Sequence, residues 1–416
     1  MSDRGIDSFR LQGESTFDWG LFLTVVMLIA SGLLSIYSAT SESSMSSNFT
    51  KQIIAIGIGS FVMFTTMYMP ERLLKLISYP FYGLSIILLI AVLFIGHEVF
   101  GTKGWIRLGG FNLQPSELAK LGTLAALANY LSRKGTDIRT FRDLGITFLM
   151  IAFPVYLILK QPDTGSASVV LVMYLGVLFW VGFNSFILYF IFVMPVVIIM
   201  SLIGTWWMVI GITAFSIIAL LFRQRIWMTA IVILIFIISG IGAPQVYENL
   251  YPHQKKRIDS FLNPGSDPLG AGYNVMQSKM AVGSGGLTGK GYLKGTQTQL
   301  RWVPMQWTDF IFSVPAEEFG FIGSSLIVGL FIYLLIRSLS IAYEAEDKYY
   351  SIISAGAVAM LFYHILINIG MVIGIMPVMG IPLPFMSYGG TSMIFNMLLV
   401  GLLLNAYRTK RISKQI

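Results

Sequence analysis

Apolar runs of the length that spans a bilayer core, about 20 residues, recur along this chain from residue 17 to residue 407, each ended by a short polar or Gly/Pro-containing break. The pattern predicts membrane helices near 17–39, 52–69, 76–96, 116–132, 144–160, 166–183, 185–203, 206–222, 226–243, 311–336, 351–374 and 390–407. The span at 116–132 and the partition of 185–243 have the weakest support. An all-α polytopic membrane protein of 10–12 spans follows. Residues 1–16 form a polar tail. The first run is longer than the apolar region of a cleavable signal, about 7–15 residues, so it reads as an anchor. The segment 244–308 is a long loop, and 408–416 is a basic tail.

Composition agrees with the pattern. Of 416 residues, 55% are hydrophobic and 12% charged, with mean hydropathy +0.74. Soluble domains carry about 25% charged residues, so this chain could not cover its apolar surface in water. Cysteine is absent, which excludes disulfides, thiol catalysis and thiolate metal sites. His97, His253 and His364 are too scattered for a helical zinc site. Lys and Arg fall in alternate short loops: Arg72 and Lys75, then Arg133 to Arg142, Arg223 and Arg225, Arg337 and Lys348, and the tail from Arg408. By the positive-inside rule both termini face the cytoplasm, and an even span count agrees.

Five polar or irregular stretches then stand at the other, outer side. In "GTKGWIRLGGFNLQPSELAK" a short strand pair or amphipathic turn leads to Pro115, suited to the first helical turn. Glu117 and Lys120 share a helix face at i, i+3. A lone lysine a turn into an apolar span costs about 2.5–3.5 kcal/mol, so a paired, inward-facing arrangement is expected. In "QPDTGSA", Asp163 suits a helix cap at the same level as Glu117. The loop 244–308 supplies Arg257, Gln277 and Lys279, which with Lys103 and Arg107 either merely solvate loops or cradle an anionic group. Its "GSGGLTGKG" is not a phosphate loop, because Ser284 and Gly291 occupy positions that need Gly and Ser or Thr. In "WTDFIFSVPAEEFGF", Asp309 stands at the boundary, while Glu317 and Glu318 lie about two turns deeper beside Pro315. They are expected to line a polar cavity, with the helix kinked or re-entrant there. "GIPLPFMSYGG" predicts an irregular outer segment that contains Ser387. His364 and Asn368 share a helix face at i, i+4, and His364 reads as an interhelical hydrogen-bonding group.

These pieces, with "RIDSFLNPGSDPLGAGYNVMQSKMAVGSGGLTGKG", occur together over nearly the whole chain. In them the sequence resembles the SEDS family of shape, elongation, division and sporulation proteins. "GKGYLKGTQTQL" looks more like the RodA branch than the FtsW branch. The resemblance implies a SEDS-type helical bundle that polymerises lipid II into glycan strands outside the cytoplasmic membrane for cell-wall elongation and shape. It also implies a class B penicillin-binding protein as partner, and no nucleic acid. By resemblance Asp309 is the essential acid, and Glu117, Lys120 and Asp163 match the family's "PSELAK" and "QPD" positions. The chain departs from the family at Met305-Gln306-Trp307, where a His is frequent, and at 204–243, which looks like an added hairpin. Inverting transfer would use Asp309 as base, with Lys103, Arg107, Arg257 or Lys279 on the leaving diphosphate. Glu117, Lys120, Asp163, Gln277, Glu317, Glu318 and Ser387 would bind substrate or support the site. A divalent cation, Mg2+ or Mn2+, held by carboxylates is the alternative for the leaving group. A lipid II flippase and a non-catalytic scaffold for the transpeptidase are the rival readings.

Overall fold

Helices form where the apolar runs predict them, and their ends are set by polar residues. The computed structural model describes residues 16–40, 46–99, 102–109, 111–250, 255, 258–259, 261–263, 265 and 270–413. The first three helices are α1 (Trp19–Thr40), α2 (Ser46–Tyr68) and α3 (Glu71–Ile95). A small antiparallel sheet follows, in the order β1 (His97–Val99), β2 (Thr102–Leu108), β3 (Phe111–Leu113). Arg107 pairs with Asn112 and Leu108 with Phe111. Then come α4 (Pro115–Leu131), α5 (Phe141–Leu159), α6 (Thr164–Val181), α7 (Ser185–Ile203), α8 (Thr205–Leu221) and α9 (Ile226–Glu248). The remainder is α10 (Ala271–Ser284), α11 (Thr296–Gln299), α12 (Ser313–Glu318), α13 (Gly320–Glu344), α14 (Lys348–Val372) and α15 (Gly390–Ser413).

Ten of these helices are long and apolar enough to cross a membrane. Of the twelve spans expected, the two that fall short, α4 and α8, have 17 residues each. They lie where the hydropathy pattern was weakest. α4 is nonetheless buried along most of its length and carries Glu117 and Lys120 inward, so it is a core helix with little lipid contact. Large side chains such as Phe61, Phe94 and Trp206 project outward, as expected of surfaces facing acyl chains. Prolines inside helices remove a hydrogen bond to the carbonyl four residues back. At Pro154 the freed Met150 carbonyl accepts from the Tyr82 hydroxyl at 3.0 Å, and at Pro244 the freed Gly240 carbonyl accepts from Ser201. Bilayer interiors require such replacements, and the second lets α9 run to Glu248, past the start of the loop expected at 244.

The chain divides into two compact units, residues 178–276 and the remainder. In the smaller, α7, α8 and α9 pack around Phe186, Val197, Ala219 and Phe236. The 204–243 segment is thus a helical pair.

In the larger unit the span expected over 311–336 is broken. α12 stops at Glu318 and α13 starts at Gly320, whose φ is +61°. That left-handed conformation suits glycine, and a Cβ there would sit 2.3 Å from the Gly289 nitrogen. Gly289 and its neighbours approach because Phe321 and Ile322 donate backbone bonds to Gly286 and Leu287, and Lys290 and Gly291 donate to Glu317 and Glu318. A strap from the long loop therefore zips onto the helix break.

Ion pairs and polar contacts mark both ends of this unit. At one end Lys75 bridges Glu71 and Asp347, Arg337 holds Asp18, and Asn405 donates to Thr66 and Met69 carbonyls. At the other end lie the sheet, the α5–α6 turn, and the segments 301–312 and 373–389. They are joined by Thr391 to Asn112 (2.6 Å), Gln52 to Ser387 (3.2 Å) and Gln114 to Asp163 (3.3 Å).

Candidate functional site

At that second end, the Gln114–Pro115 junction opens α4 with Pro at its first position. Glu117 and Lys120 follow on one face and pair at 2.7 Å, with side chains only 6% and 2% exposed. Charges this deep exist only when paired. Lys120 Nζ also lies 3.4 Å from His364 Nε2, and His364 Nδ1 lies 3.2 Å from the Pro382 carbonyl. A carbonyl accepts only, so Nδ1 carries the proton and Nε2 accepts from Lys120. The expected hydrogen-bonding role of His364 is what its geometry shows.

Asp163 does two things. Oδ1 accepts from the Ser166 N–H at 2.9 Å, capping α6, and Oδ2 takes the Gln114 amide at 3.3 Å and the Ser116 hydroxyl at 3.5 Å. Gly165 lets this turn approach the 373–389 segment, for a Cβ there would lie 2.4 Å from the Met379 carbonyl.

Asp309 sits in the irregular segment 301–312. Its carbonyl accepts from Asn368 Nδ2 at 2.8 Å, and Ser387 Oγ donates to the Thr308 carbonyl at 2.6 Å. Tyr388 N–H donates to Trp307 at 2.9 Å. No donor among the described residues reaches the Asp309 carboxylate. Burial by the surrounding packing, then the negative charge of Asp163, push its pKa up to about 6. Glu117, Lys120, Asp163, Asp309 and Ser387 therefore belong to one connected end of the unit, linked through His364 and Asn368.

Other candidates lie elsewhere. Lys103 and Arg107 share the exposed face of β2, whose other face, at Gly104 and Ile106, is buried. Lys279 is exposed on α10, while Gln277 is buried with its Oε1 unpartnered among the described residues. Arg257 lies outside the described residues.

Glu317 and Glu318 do not line an open cavity beneath Asp309. Glu317 has no exposed surface and takes Lys290 Nζ at 2.7 Å and the Gln297 and Thr298 N–H groups at 2.9 Å each. Burial alone would raise its pKa, but these donors outweigh it and hold the carboxyl below its usual range. Glu318 accepts from Ser38 and, at 3.4 Å, from Gln299. Sequence reading placed two acids near the site because they are close in sequence, but the break at Gly320 turns them into the strap.

Gln306, at the departure from the family pattern, is buried. Its Nε2 donates to Ala39 at 3.2 Å and Thr298 at 2.9 Å. Gln114, Ser116 and Gln52 were not singled out by sequence reading. Only the adjacency of Gln114 and Ser116 to Pro115 and Glu117 could have signalled the first two. Among the described residues no group of three or more His, Asp or Glu could hold a metal ion.

Comparison with known proteins places this geometry in context. The sequence model of the FtsW/RodA/SpoVE cell cycle proteins matches residues 18–209 and 188–412. The chain is 35% identical to the peptidoglycan glycosyltransferase RodA of Treponema pallidum, over 95% of this chain and 98% of that protein. It is 33% identical to the peptidoglycan glycosyltransferase MrdB of Escherichia coli, over 95% of each. Among solved structures, a chain from work on the structural coordination of polymerization and crosslinking by a peptidoglycan synthase complex matches with TM-score 0.71 and 31% identity. That match covers 95% of this chain and 98% of the other. The rod shape determining protein RodA of Thermus thermophilus matches with TM-score 0.63 and 28% identity, over 95% and 97%. Shared over nearly its whole length in both sequence and fold, these likenesses make the chain a multi-pass membrane protein of the FtsW/RodA/SpoVE family.

Proposed function

We propose that this protein is a peptidoglycan glycosyltransferase that polymerises lipid II into glycan strands for cell-wall elongation, with Asp309 as general base. The observation that carries the reading is a carboxylate that no donor among the described residues reaches, its pKa raised to about 6, at the same end as Asp163 and the buried Glu117–Lys120 pair. A general base works best with a pKa near the operating pH. The names of the relatives support the activity.

In lipid II the disaccharide is joined to its diphosphate by an α link, and the product link is β, so the displacement inverts. The acceptor 4-hydroxyl attacks the donor anomeric carbon, its proton passes to Asp309, and the carbon–oxygen bond to the diphosphate breaks. Charge develops as in other inverting sugar transfers, through an oxocarbenium-like state. Asp163, already holding Gln114 and Ser116, keeps negative charge beside Asp309 and so keeps it basic. Glu117 and Lys120 stiffen the floor under the 380–388 segment through His364. The cations Lys103 and Arg107 on the open face of β2, and Lys279 on α10, are the groups available to receive the diphosphate.

The bilayer is the bacterial cytoplasmic membrane, with Asp309 on its outer side and both termini in the cytoplasm. The clustering of Arg133, Lys134, Arg139 and Arg142 at the helix ends opposite Asp309 supports that orientation. A class B penicillin-binding protein is the cross-linking partner. The match to a chain from a peptidoglycan synthase complex supports it.

The test is polymerisation of lipid II by purified protein, alone and with the partner. Glycan chains should form, and Asp309→Asn should abolish them. Lipid II transfer across vesicles without polymer would overturn the reading.

A further inference from the structure

The amide of Asn368 stands where two irregular segments meet. Its Nδ2 donates to the Asp309 carbonyl and to the Ile381 carbonyl, each at 2.8 Å. The residue has no exposed surface, and its Oδ1 has no partner among the described residues. With carbonyl oxygens on both sides, only the NH2 can face them, so the orientation is fixed by chemistry. A buried acceptor left unpaired is unfavourable, and that arrangement survives because both donors are used. One helical turn away, His364 holds Pro382, the residue after Ile381. α14 is thus a post that holds the 373–389 segment through Tyr363, His364 and Asn368, and the Asp309 segment through Asn368. On the far side of Asp309 the remaining ties, from Ser387 and Tyr388, reach Thr308 and Trp307 but not Asp309 itself.

We propose that Asn368 is a positioning residue for transfer: by holding the main chain of Asp309 against α14 it fixes where that carboxylate meets the acceptor hydroxyl. The inference deepens the reading of Asp309 as base and rests on it. Asn368 touches neither substrate nor the reacting atoms. Its effect passes through the backbone of residue 309, whose side chain takes no hydrogen bond from the described residues. The titratable group that acts on the Asp309 carboxylate is Asp163 at the start of α6, with Glu117 and Lys120 on α4 and His364 on α14 at the same end, and among the described residues Asn368 hydrogen-bonds to none of their side chains.

The experiment measures kcat, KM and the pH dependence of kcat/KM for lipid II polymerisation by the full chain with its partner. Asn368→Leu keeps the branched shape and heavy-atom count of the side chain and removes both donors. Misplacement of a reacting group by about 1 Å costs on the order of 100-fold. A loss of that size in kcat with KM changed less than threefold is expected. The acidic limb should also move to lower pH, because a released Asp309 side chain turns toward water. Asn368→Ser, which keeps one donor, should fall between, and it carries the same measurements if the leucine variant does not fold. Activity within twofold of wild type would overturn the proposal. So would a loss of kcat with the acidic limb unmoved, since that marks a merely structural role. Asp309→Asn separates the two readings. If it is inactive while the Asn368 variants leave the limb in place, positioning fails and the base stands. If it retains activity and the wild-type limb, the base assignment itself fails.

Discussion

Two carboxylates eight residues apart show how differently one stretch of chain can treat the same chemical group. Asp309 lies in an irregular segment, receives no hydrogen bond on its carboxylate from the described residues, and has its pKa pushed up to about 6. Glu317 lies past it in a short helix, is wholly buried, and is held below its usual range by Lys290 and two backbone N–H groups. Glu317 is fully buried and Asp309 half-buried, so neither carboxylate is fully hydrated. The difference is whether the surrounding protein supplies donors. A carboxylate given donors is a structural anchor, whereas one denied them retains its basicity and stays available for a proton.

The largest test of that contrast is Asp309→Asn. Loss of a general base costs about 10²–10⁴-fold in rate, so glycan synthesis should fall by at least 100-fold. Thermal stability in detergent should be nearly unchanged, because no hydrogen bond of the side chain is lost.

Breaking the buried pair beneath it should show the opposite balance. Lys120→Met leaves Glu117 uncompensated and should destabilise by about 3–5 kcal/mol, read as a lower unfolding temperature. Adding Glu117→Gln should recover much of that stability but not full activity. If the double variant is no more stable than the single one, the pair is not coupled as drawn.

The pH profile sharpens the comparison. Asp309 must be deprotonated to act, so kcat/KM should fall about tenfold per unit as pH drops below about 6. The Glu317 contribution has the opposite placement. Its folded pKa is lowered, so the stability it adds is present above the ordinary carboxylate range and is lost only as pH falls through the lowered value. Activity should therefore disappear in a window where the strap is still closed, as limited proteolysis would show.

Glu317→Gln should cost about 1–3 kcal/mol, since buried donors lose a charged acceptor. Trypsin should then cut faster at Lys290 and Lys294, with a smaller loss of polymerisation than Asp309→Asn causes. Ser387→Ala is the mildest, about 1 kcal/mol for the bonds it makes to Leu383 and Thr308.

Most of the fold was legible because the bilayer imposes a length on every span, and composition alone announces which segments meet it. The Glu117–Lys120 pair was legible too, since i, i+3 spacing places both charges on one face and a lone lysine in that span would be costly. The segment 102–113 read as an amphipathic turn or a short strand pair, and the structure makes it the strands β2 and β3. What stayed hidden was any feature made by contact between distant segments. The break at Gly320 depends on Gly289 lying against it. The continuation of α9 past Pro244 depends on Ser201 supplying a hydroxyl. The fate of Glu317 depends on Lys290 returning from a loop that sequence could only describe as basic and glycine-rich.

Local rules therefore settled where this chain spans, which of its charges need partners, and which end of the bundle collects its acids. Tertiary packing decided which acid goes without hydrogen-bond donors and which is saturated with them. That choice is made by donors arriving from residues far away in the chain, and no pattern of hydrophobic and polar positions records where those donors end.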